Sequence, residues 1–346
     1  MKAIINAKII TPTGVVENGA VLFDEHIRWV GTVRDCDQTK FNNIIDAQGL
    51  YVGPGLVDMH IHGVGGVDVM DATPDALLTM STVLPQYGVT SFLPTIISAP
   101  WSSMSRALEN IRAAQTVNLS GARVLGAHLE GPFLNPAWAG AHAKSALQLP
   151  DFSILQEFLD VLRVVTLAPE LAGGGQFIHS ASKHQELVLA IGHSNVSFEQ
   201  AQEAIERGIR HAVHIFNAMH PLHHREPGLV GAILAHQLSA ELIADDIHVH
   251  PGLYKVLLQS LGVEKLILVS DAMRGTGLGE GRFELGGQEV TVANGAARLA
   301  SGQLAGSILT LDQAVRNFRR STDIGLPEVI ALASQNPARL LGLSQK

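Results

Sequence analysis

Eight short apolar runs recur between residues 56 and 272, each separated from the next by enough chain for a helix. This alternation limits the fold more than any other feature of the sequence. The runs are LVDMHIH (56–62), TSFLPTII (90–97), RVLGAHLE (123–130), RVVTLAPE (163–170), LVLAIGHS (187–194), HAVHIFN (211–217), SAELIAD (239–245) and KLILVSDA (265–272). Near-continuous apolar runs of this length suit parallel strands covered on both faces. Helical patterns fall between them, at 74–87, 102–116, 197–207 and 251–261, and Ser197 with Gln200 reads as a capping box before AQEAIERG. Alternation of this kind predicts an α/β fold, a (β/α)8 TIM-like barrel. Polar residues gather toward the C-terminal ends of the runs, the face on which such barrels carry their chemistry.

The flanks read differently. Residues 1–52 form short strand patterns, KAIINAKIIT, GAVLFDEHIRWVG and NNIIDAQGLYV, with turn signals at Thr13-Gly14 and Glu17-Asn18-Gly19. The expected division is a small β domain over 1–52 and the barrel over 53–346. A β-hairpin insertion is expected near 281–300, where Gly286-Gly287 and Asn294-Gly295 mark turns. Closing helices are expected at 307–322 and 326–341, the second broken at Asn336-Pro337.

Composition narrows the class of function. The chain has 346 residues, 46% of them hydrophobic and only 16% charged, with a formal net charge of −8 and no Lys/Arg-rich run. These features argue against nucleic acid or an anionic membrane surface as the main partner. The start, MKAIINAKIITPTG, lacks a signal-peptide pattern, and no run of 18 apolar residues occurs. Cys36 is the single cysteine, so no disulfide can form within the chain; a cytoplasmic setting is expected. Gly-x-Ser-x-Gly, a Walker A string and Gly-x-Gly-x-x-Gly after a strand are all absent.

The strongest local signal for chemistry is His60-Ile61-His62, directly after GPGLVDM. Two histidines at i and i+2 of a strand point to one side of it, and a core gains little from that. Glu130, His193, His214 and Asp271 follow at or near the ends of later runs. Together they make a nitrogen and oxygen set suited to Zn²⁺ or a similar divalent ion. Glu130 needs a partner, because a lone buried carboxylate is very costly. Asp271 ends the last run and suits a general base that later returns its proton to a leaving group. The fourth run, VVTLAPE, carries no lysine that could bridge two ions, so Glu130 is the better bridge. His142, Asn217, Ala218, Arg225 and His248 fall in loops on the same face, where Arg and His suit a phosphate or a carboxylate. His128 shares a face with Glu130 but reads as packing, and His179, His184, His211, His220, His236 and His250 read as non-ligands.

With these residues in place, the chain resembles the N-acetylglucosamine-6-phosphate deacetylase family of the amidohydrolase superfamily. The motifs are GPGLVDMHIHG (53–63), GAHLEGPFLN (126–135), the AH at 141–142, IGHSNVSFEQA (191–201), HIFNAMHPLHHREPG (214–228), IADDIHV (243–249), LVSDA (268–272) and LAGSILT (304–310). The resemblance implies hydrolysis of the acetamide of an N-acetyl amino-sugar 6-phosphate. The galactosamine epimer, or another N-acylated sugar or amino acid, is the alternative, and a non-catalytic scaffold the remote one. It implies one or two divalent ions, zinc first and iron, cobalt or manganese otherwise. Glu130, His193 and His214 would hold the principal ion, His60 and His62 a second. Asp271 would be the acid/base and His142 a catalytic partner that also binds substrate. Asn217, Ala218, Arg225, His248, Leu304, Ala305 and Gly306 would contact substrate. A homodimer is implied, with His248 reaching across the interface. The family's small domain is β-sandwich-like and continues beyond NPARLLGL, so this one is expected to be truncated at its C-terminal end, where the chain stops at Lys346. Asp246 stands where the family commonly has glycine.

Overall fold

The computed structural model describes residues 1–36, 43–117 and 119–343. Its first element is a five-stranded sheet of β1 (Lys2–Thr11), β2 (Gly14–Phe23), β3 (Ile27–Thr32), β4 (Asn43–Asp46) and β5 (Tyr51–Val52). β1 is central, antiparallel to β2 and parallel to β4 and β5, and β3 lies outside β2. Two sequence expectations change here. Glu17-Asn18-Gly19 is not a turn: it is an irregularity inside β2, where Asn18 adopts φ +47° and the register to β1 shifts. The stretch 19–31 is two strands, because Asp24 accepts a hydrogen bond from the His26 amide and closes a turn.

Eight parallel strand positions then form the barrel. β6 (Leu56–Ile61) leads into a two-stranded ribbon, β7 (Gly63–Val64) and β8 (Val67–Asp68), and on to α1 (Pro74–Val83), β9 (Val89–Ile97) and α2 (Trp101–Thr116). The third run is split into β10 (Arg123–Val124) and β11 (Ala127–Glu130) by Gly126, at φ +142°. A side chain on Gly126 would meet the Val161 carbonyl at 2.7 Å, so the break needs glycine. There follow β12 (Leu162–Leu167), α3 (Gly174–Ala181), β13 (Val188–Ile191), α4 (Phe198–Arg207), β14 (His211–Ala212), α5 (Gly228–Ala235), β15 (Ser239–Ile243), α6 (Tyr254–Leu261) and β16 (Leu266–Val269). Neighbouring strands pair in parallel around the ring. The seam between last and first strands is closed just beyond β16, where the Asp271 amide donates to the His60 carbonyl at 2.9 Å and Ile61 bridges Ala272.

The expected hairpin near 281–300 is a three-stranded antiparallel sheet, β17 (Gly281–Leu285), β18 (Gln288–Ala293) and β19 (Ala296–Leu299), with both expected turns in place. α7 (Leu311–Ser321), α8 (Leu326–Leu332) and α9 (Gln335–Leu340) close the chain. α7 begins four residues after the expected start. The last break falls at 333–334, since Pro337 is accommodated within the first turn of α9, where no intrahelical N–H is needed. α3 and α5 escape the periodicity reading: one opens on two glycines, and the other, GLVGAILA, is buried nearly all round and has no polar face. Ser197 and Gln200 form the capping box of α4. Among the described residues no helix is long and apolar enough to cross a membrane.

Strand alternation sets up the site. Met59, Ile61, Leu129 and Val165 belong to the large apolar core. Asp58, His60, His62, Thr95, His128, Glu130, Thr166 and Glu241 are buried as well, and they alternate with apolar neighbours along their strands. Barrel interiors are normally filled by Val, Ile and Leu. Polar groups confined to such a place must satisfy one another; most of these do so in a shared network, which leaves Asp58 Oδ2 and His60 Nε2 without a hydrogen-bond partner.

Candidate metal centre and active site

The network is organised by where each imidazole spends its Nδ1. His193 Nδ1 lies 2.9 Å from the Trp138 carbonyl, His214 Nδ1 3.2 Å from the Asn217 carbonyl, and His62 Nδ1 3.1 Å from the Thr95 carbonyl. His60 Nδ1 lies 2.8 Å from Glu241 Oε2. Carbonyl and carboxylate oxygens only accept, so all four rings carry a proton on Nδ1 and turn Nε2 inward. His142 is reversed. Its Nδ1 accepts from the Ser98 amide at 3.2 Å and meets the Ser98 hydroxyl at 2.8 Å, which leaves Nε2 as a donor.

These nitrogens converge on two carboxylates. Glu130 Oε1 lies 3.1 Å from His193 Nε2 and 2.9 Å from His214 Nε2. Its other oxygen lies 3.3–3.4 Å from Nε2 of His60, His62 and His142. Asp271 Oδ1 lies 3.3 Å from His62 Nε2 and 3.6 Å from His60 Nε2. Glu130 therefore stands between two donor groups, Glu130/His193/His214 and His60/His62/Asp271, each close enough to share an ion.

The donors ask for a cation. His193 Nε2 and His214 Nε2 face each other at 3.1 Å, and His60 Nε2 is buried with no hydrogen-bond partner. Lone pairs placed so close are mutually repulsive unless positive charge sits among them. Proton affinities agree: burial works against charge on His62, yet Asp271 and Glu130 raise its pKa to about 9. Burial alone would raise the Glu130 pKa, but the imidazoles of His60, His142, His193 and His214 around it hold it well below the usual carboxylate range. Burial holds His142 neutral, with a pKa of about 4. Two nitrogens and one oxygen per group, with outer acceptors orienting the rings, fit a divalent ion of the zinc type.

The backbone around these side chains is under constraint. His193, His214 and Asp271 have φ of +48°, +26° and +49°, values uncommon for residues other than glycine. Each lies just past its strand, which explains why the expected run HAVHIFN is extended only over His211–Ala212.

A cavity of about 380 Å³ opens over this centre. His62, Glu130, His142, His193, His214, Asn217, Ala218, His248, Asp271, Leu304 and Gly306 line it. His60 is fully buried and absent from the lining, and so is Ala305. Asn217 spends its side-chain amide on the His214 and Ile215 carbonyls, at 3.3 and 3.2 Å. Arg225 is not brought to this cavity: it lines a separate depression beside Asn195–Gln200 and donates to His224 Nε2 at 2.8 Å. His248 lines the cavity of its own chain, with Nδ1 held by Asp245 Oδ2 at 2.6 Å.

A model of the amidohydrolase family matches residues 51–346. The chain belongs to the amidohydrolase family. N-acetylglucosamine-6-phosphate deacetylase of Bacillus subtilis is 39% identical over 97% of this chain and 86% of its own length. N-acetylgalactosamine-6-phosphate deacetylase of Escherichia coli O157:H7 is 41% identical over 84% of the chain and 78% of its own. The structure of a Mycobacterium smegmatis N-acetyl-D-glucosamine-6-phosphate deacetylase mutant, in complex with N-acetyl-D-glucosamine-6-phosphate, superposes with a TM-score of 0.89 at 29% identity, covering 99% of this chain and 90% of that one. As an amidohydrolase the chain is a metal-dependent hydrolase, and its donor groups could hold the metal.

Sequence reasoning passed over several residues of this amidohydrolase site. Glu241 is fully buried and contacts His60 Nδ1, His211 Nε2 at 3.2 Å and the His214 amide at 3.2 Å. A lone carboxylate inside the apolar run SAELIAD was the signal for it, the same one that marked Glu130. Asp58 shares the face of His60 and His62 by the same i, i+2 rule, and burial raises its pKa to about 6. Arg298 lines the cavity from β19, and nothing local in the sequence pointed there. His128 packs on His60 with ring centroids 4.6 Å apart and bonds Thr166 Oγ1 at 2.8 Å. The carboxylate of Asp246 faces Arg320 at 2.5 Å and the Tyr254 hydroxyl at 3.0 Å. Its φ of +65° explains why glycine suits that position.

Proposed function

We infer that this amidohydrolase cleaves the acetamide of N-acetyl-D-glucosamine 6-phosphate, giving D-glucosamine 6-phosphate and acetate. The observation that carries the reading is the opposed tautomers: four histidines present bare Nε2 atoms to Glu130 and Asp271, while His142 presents an N–H beside them. Glu130, His193 and His214 would hold the principal divalent ion, zinc by donor type, and His60 and His62 a second. When bound, the principal ion would supply Lewis acidity, which lowers the pKa of water and polarises a carbonyl.

Asp271 takes the proton from the attacking water and delivers it to the amide nitrogen as the C–N bond breaks. The His142 Nε2–H donates to the carbonyl oxygen as it gains charge. Asn217, Ala218, Leu304, Ala305 and Gly306 shape the sugar site, and His248 and Arg225 are assigned to the phosphate, so that binding energy remote from the amide orients it. A small β domain over 1–52, a barrel over 53–346, a homodimer and a cytoplasmic setting complete the reading. The substrates named for the relatives support the substrate class.

The test is acetate release by zinc-loaded protein from N-acetylglucosamine 6-phosphate, with the galactosamine epimer and unphosphorylated N-acetylglucosamine alongside. Fast release from the glucosamine ester alone is expected; no release from any of the three overturns the reading. Arg225 tests the dimer, because its own chain keeps it out of the cavity. In Arg225→Ala the KM for the phosphate ester is expected to rise about tenfold, and an unchanged KM removes Arg225 from the site.

A further inference from the structure

We propose that Arg298 is a specificity-determining residue that binds the substrate's phosphate from within the same chain. This rests on the substrate class inferred above and adds a residue to it. Arg298 sits on β19, and its backbone is fixed from both sides: it pairs with Thr291 of β18 and bridges Leu304 of the cavity wall. The segment between is a tight return, with Leu299 N donating to Gln303 O at 2.9 Å and Ala305 N to Ala297 O at 3.1 Å. The whole sheet is anchored to the catalytic end of the barrel. Leu285, Val290, Val292 and Ala297 share an apolar cluster with Ile97 and with Ala141, the neighbour of His142, and Gln288 donates to the Ala141 carbonyl at 2.5 Å.

On this frame the guanidinium uses Nη1 to donate to the Gly302 carbonyl at 2.8 Å. Among the described residues its other N–H groups have no partner and no carboxylate lies within ion-pairing distance. It is the only arginine or lysine among the residues that line the cavity. His248 lines the same cavity, its Nδ1 held by Asp245 so that Nε2 is the free nitrogen. A guanidinium with open donors beside an oriented imidazole suits a phosphate monoester, which offers several acceptor oxygens and two negative charges. Arg225, the arginine that the sequence motif suggests for this task, lies outside the cavity.

The experiment compares the zinc-loaded protein with Arg298→Gln and Arg298→Lys. The readouts are kcat/KM for N-acetylglucosamine 6-phosphate and for N-acetylglucosamine, and inhibition by inorganic phosphate. In Arg298→Gln the ratio of the two kcat/KM values is expected to fall about 10- to 100-fold. The inhibition constant for phosphate should rise in parallel, with Arg298→Lys in between. A ratio within twofold of the parent overturns the proposal, as does an equal loss on both sugars, which would mark a structural role. If the parent itself shows no preference for the phosphate ester, the substrate reading fails. Phosphate inhibition then still decides: inhibition unaltered in Arg298→Gln overturns the anion site, and weakened inhibition sustains it.

Discussion

Asp271→Asn is expected to lower kcat by about 10²- to 10⁴-fold, the range that a positioned general acid/base contributes, while the protein keeps its metal. The carboxylate is built in from three sides. The Asp271 amide donates to the His60 carbonyl, its own carbonyl accepts from Ser307 N at 2.7 Å, and Oδ1 lies 3.3 Å from His62 Nε2. Asparagine has the same shape, so the fold and the ring positions persist. What is lost is the ability to take a proton. Burial works to raise the Asp271 pKa, but the imidazoles of His60 and His62 beside it bring it below the ordinary aspartate value, so the group is ionised and ready as a base at neutral pH. If the step depends on this group, kcat and kcat/KM fall together. Turnover within tenfold of the parent, in a variant whose metal content by atomic spectrometry is unchanged, would remove Asp271 from the mechanism.

The second large effect is expected at Glu241, where no substrate reaches. Glu241→Ala leaves the His60 Nδ1–H, the His211 ring and the His214 amide without their acceptor, in a fully buried place. Breaking a buried charge network from one side costs about 3–5 kcal/mol. Denaturant unfolding at neutral pH should show a loss of that order. The sign with pH follows from the direction of the shift. Burial alone would raise the Glu241 pKa, but His60 and His211 hold it well below the usual glutamate range. Its contribution is therefore complete above about pH 4.3, the unfolded value, and is lost as the pH falls through the folded pKa. Parent and variant should differ most at neutral pH and converge in strong acid. Glu241→Gln keeps the shape and separates orientation from packing: metal affinity by equilibrium dialysis should drop about 10- to 100-fold, the usual effect of removing a partner that orients a ligand. A variant with parental stability and parental zinc affinity would show that Glu241 merely fills space.

The eight strand positions and the gathering of polar groups at one end of them could be read from the chain because both depend on local periodicity. An apolar run of six residues is buried on both faces whatever surrounds it, and His60 and His62 share a side of β6 because the strand repeat is two. Elements lacking a local pattern were invisible in the same way: α5 has no polar face, and α3 opens on glycines. The split of β10 from β11 goes with the close approach of Val161 and Arg163, 35 and 37 residues from Gly126.

At the site, residue types could be read from the sequence, but partners could not. That Glu130, His193 and His214 are metal-compatible follows from their chemistry and their places at strand ends. Which nitrogen each ring presents is fixed by Trp138, Asn217, Thr95 and Glu241, and the last lies 181 residues from His60. The opposite tautomer of His142 depends on one amide, Ser98, at the end of another strand. By sequence Arg225 falls in a loop on the active face and Arg298 in the expected hairpin; the packing of β17–β19 onto Ile97 and Ala141 brings Arg298 to the cavity wall, while Arg225 lines a separate depression. The sequence by itself determined the barrel, its active end and the kinds of atoms gathered there, since these follow from periodicity and side-chain chemistry. Tertiary structure decided which atoms face one another, because a tautomer, a bridging carboxylate and a cavity wall are each set by contacts between residues far apart in the chain.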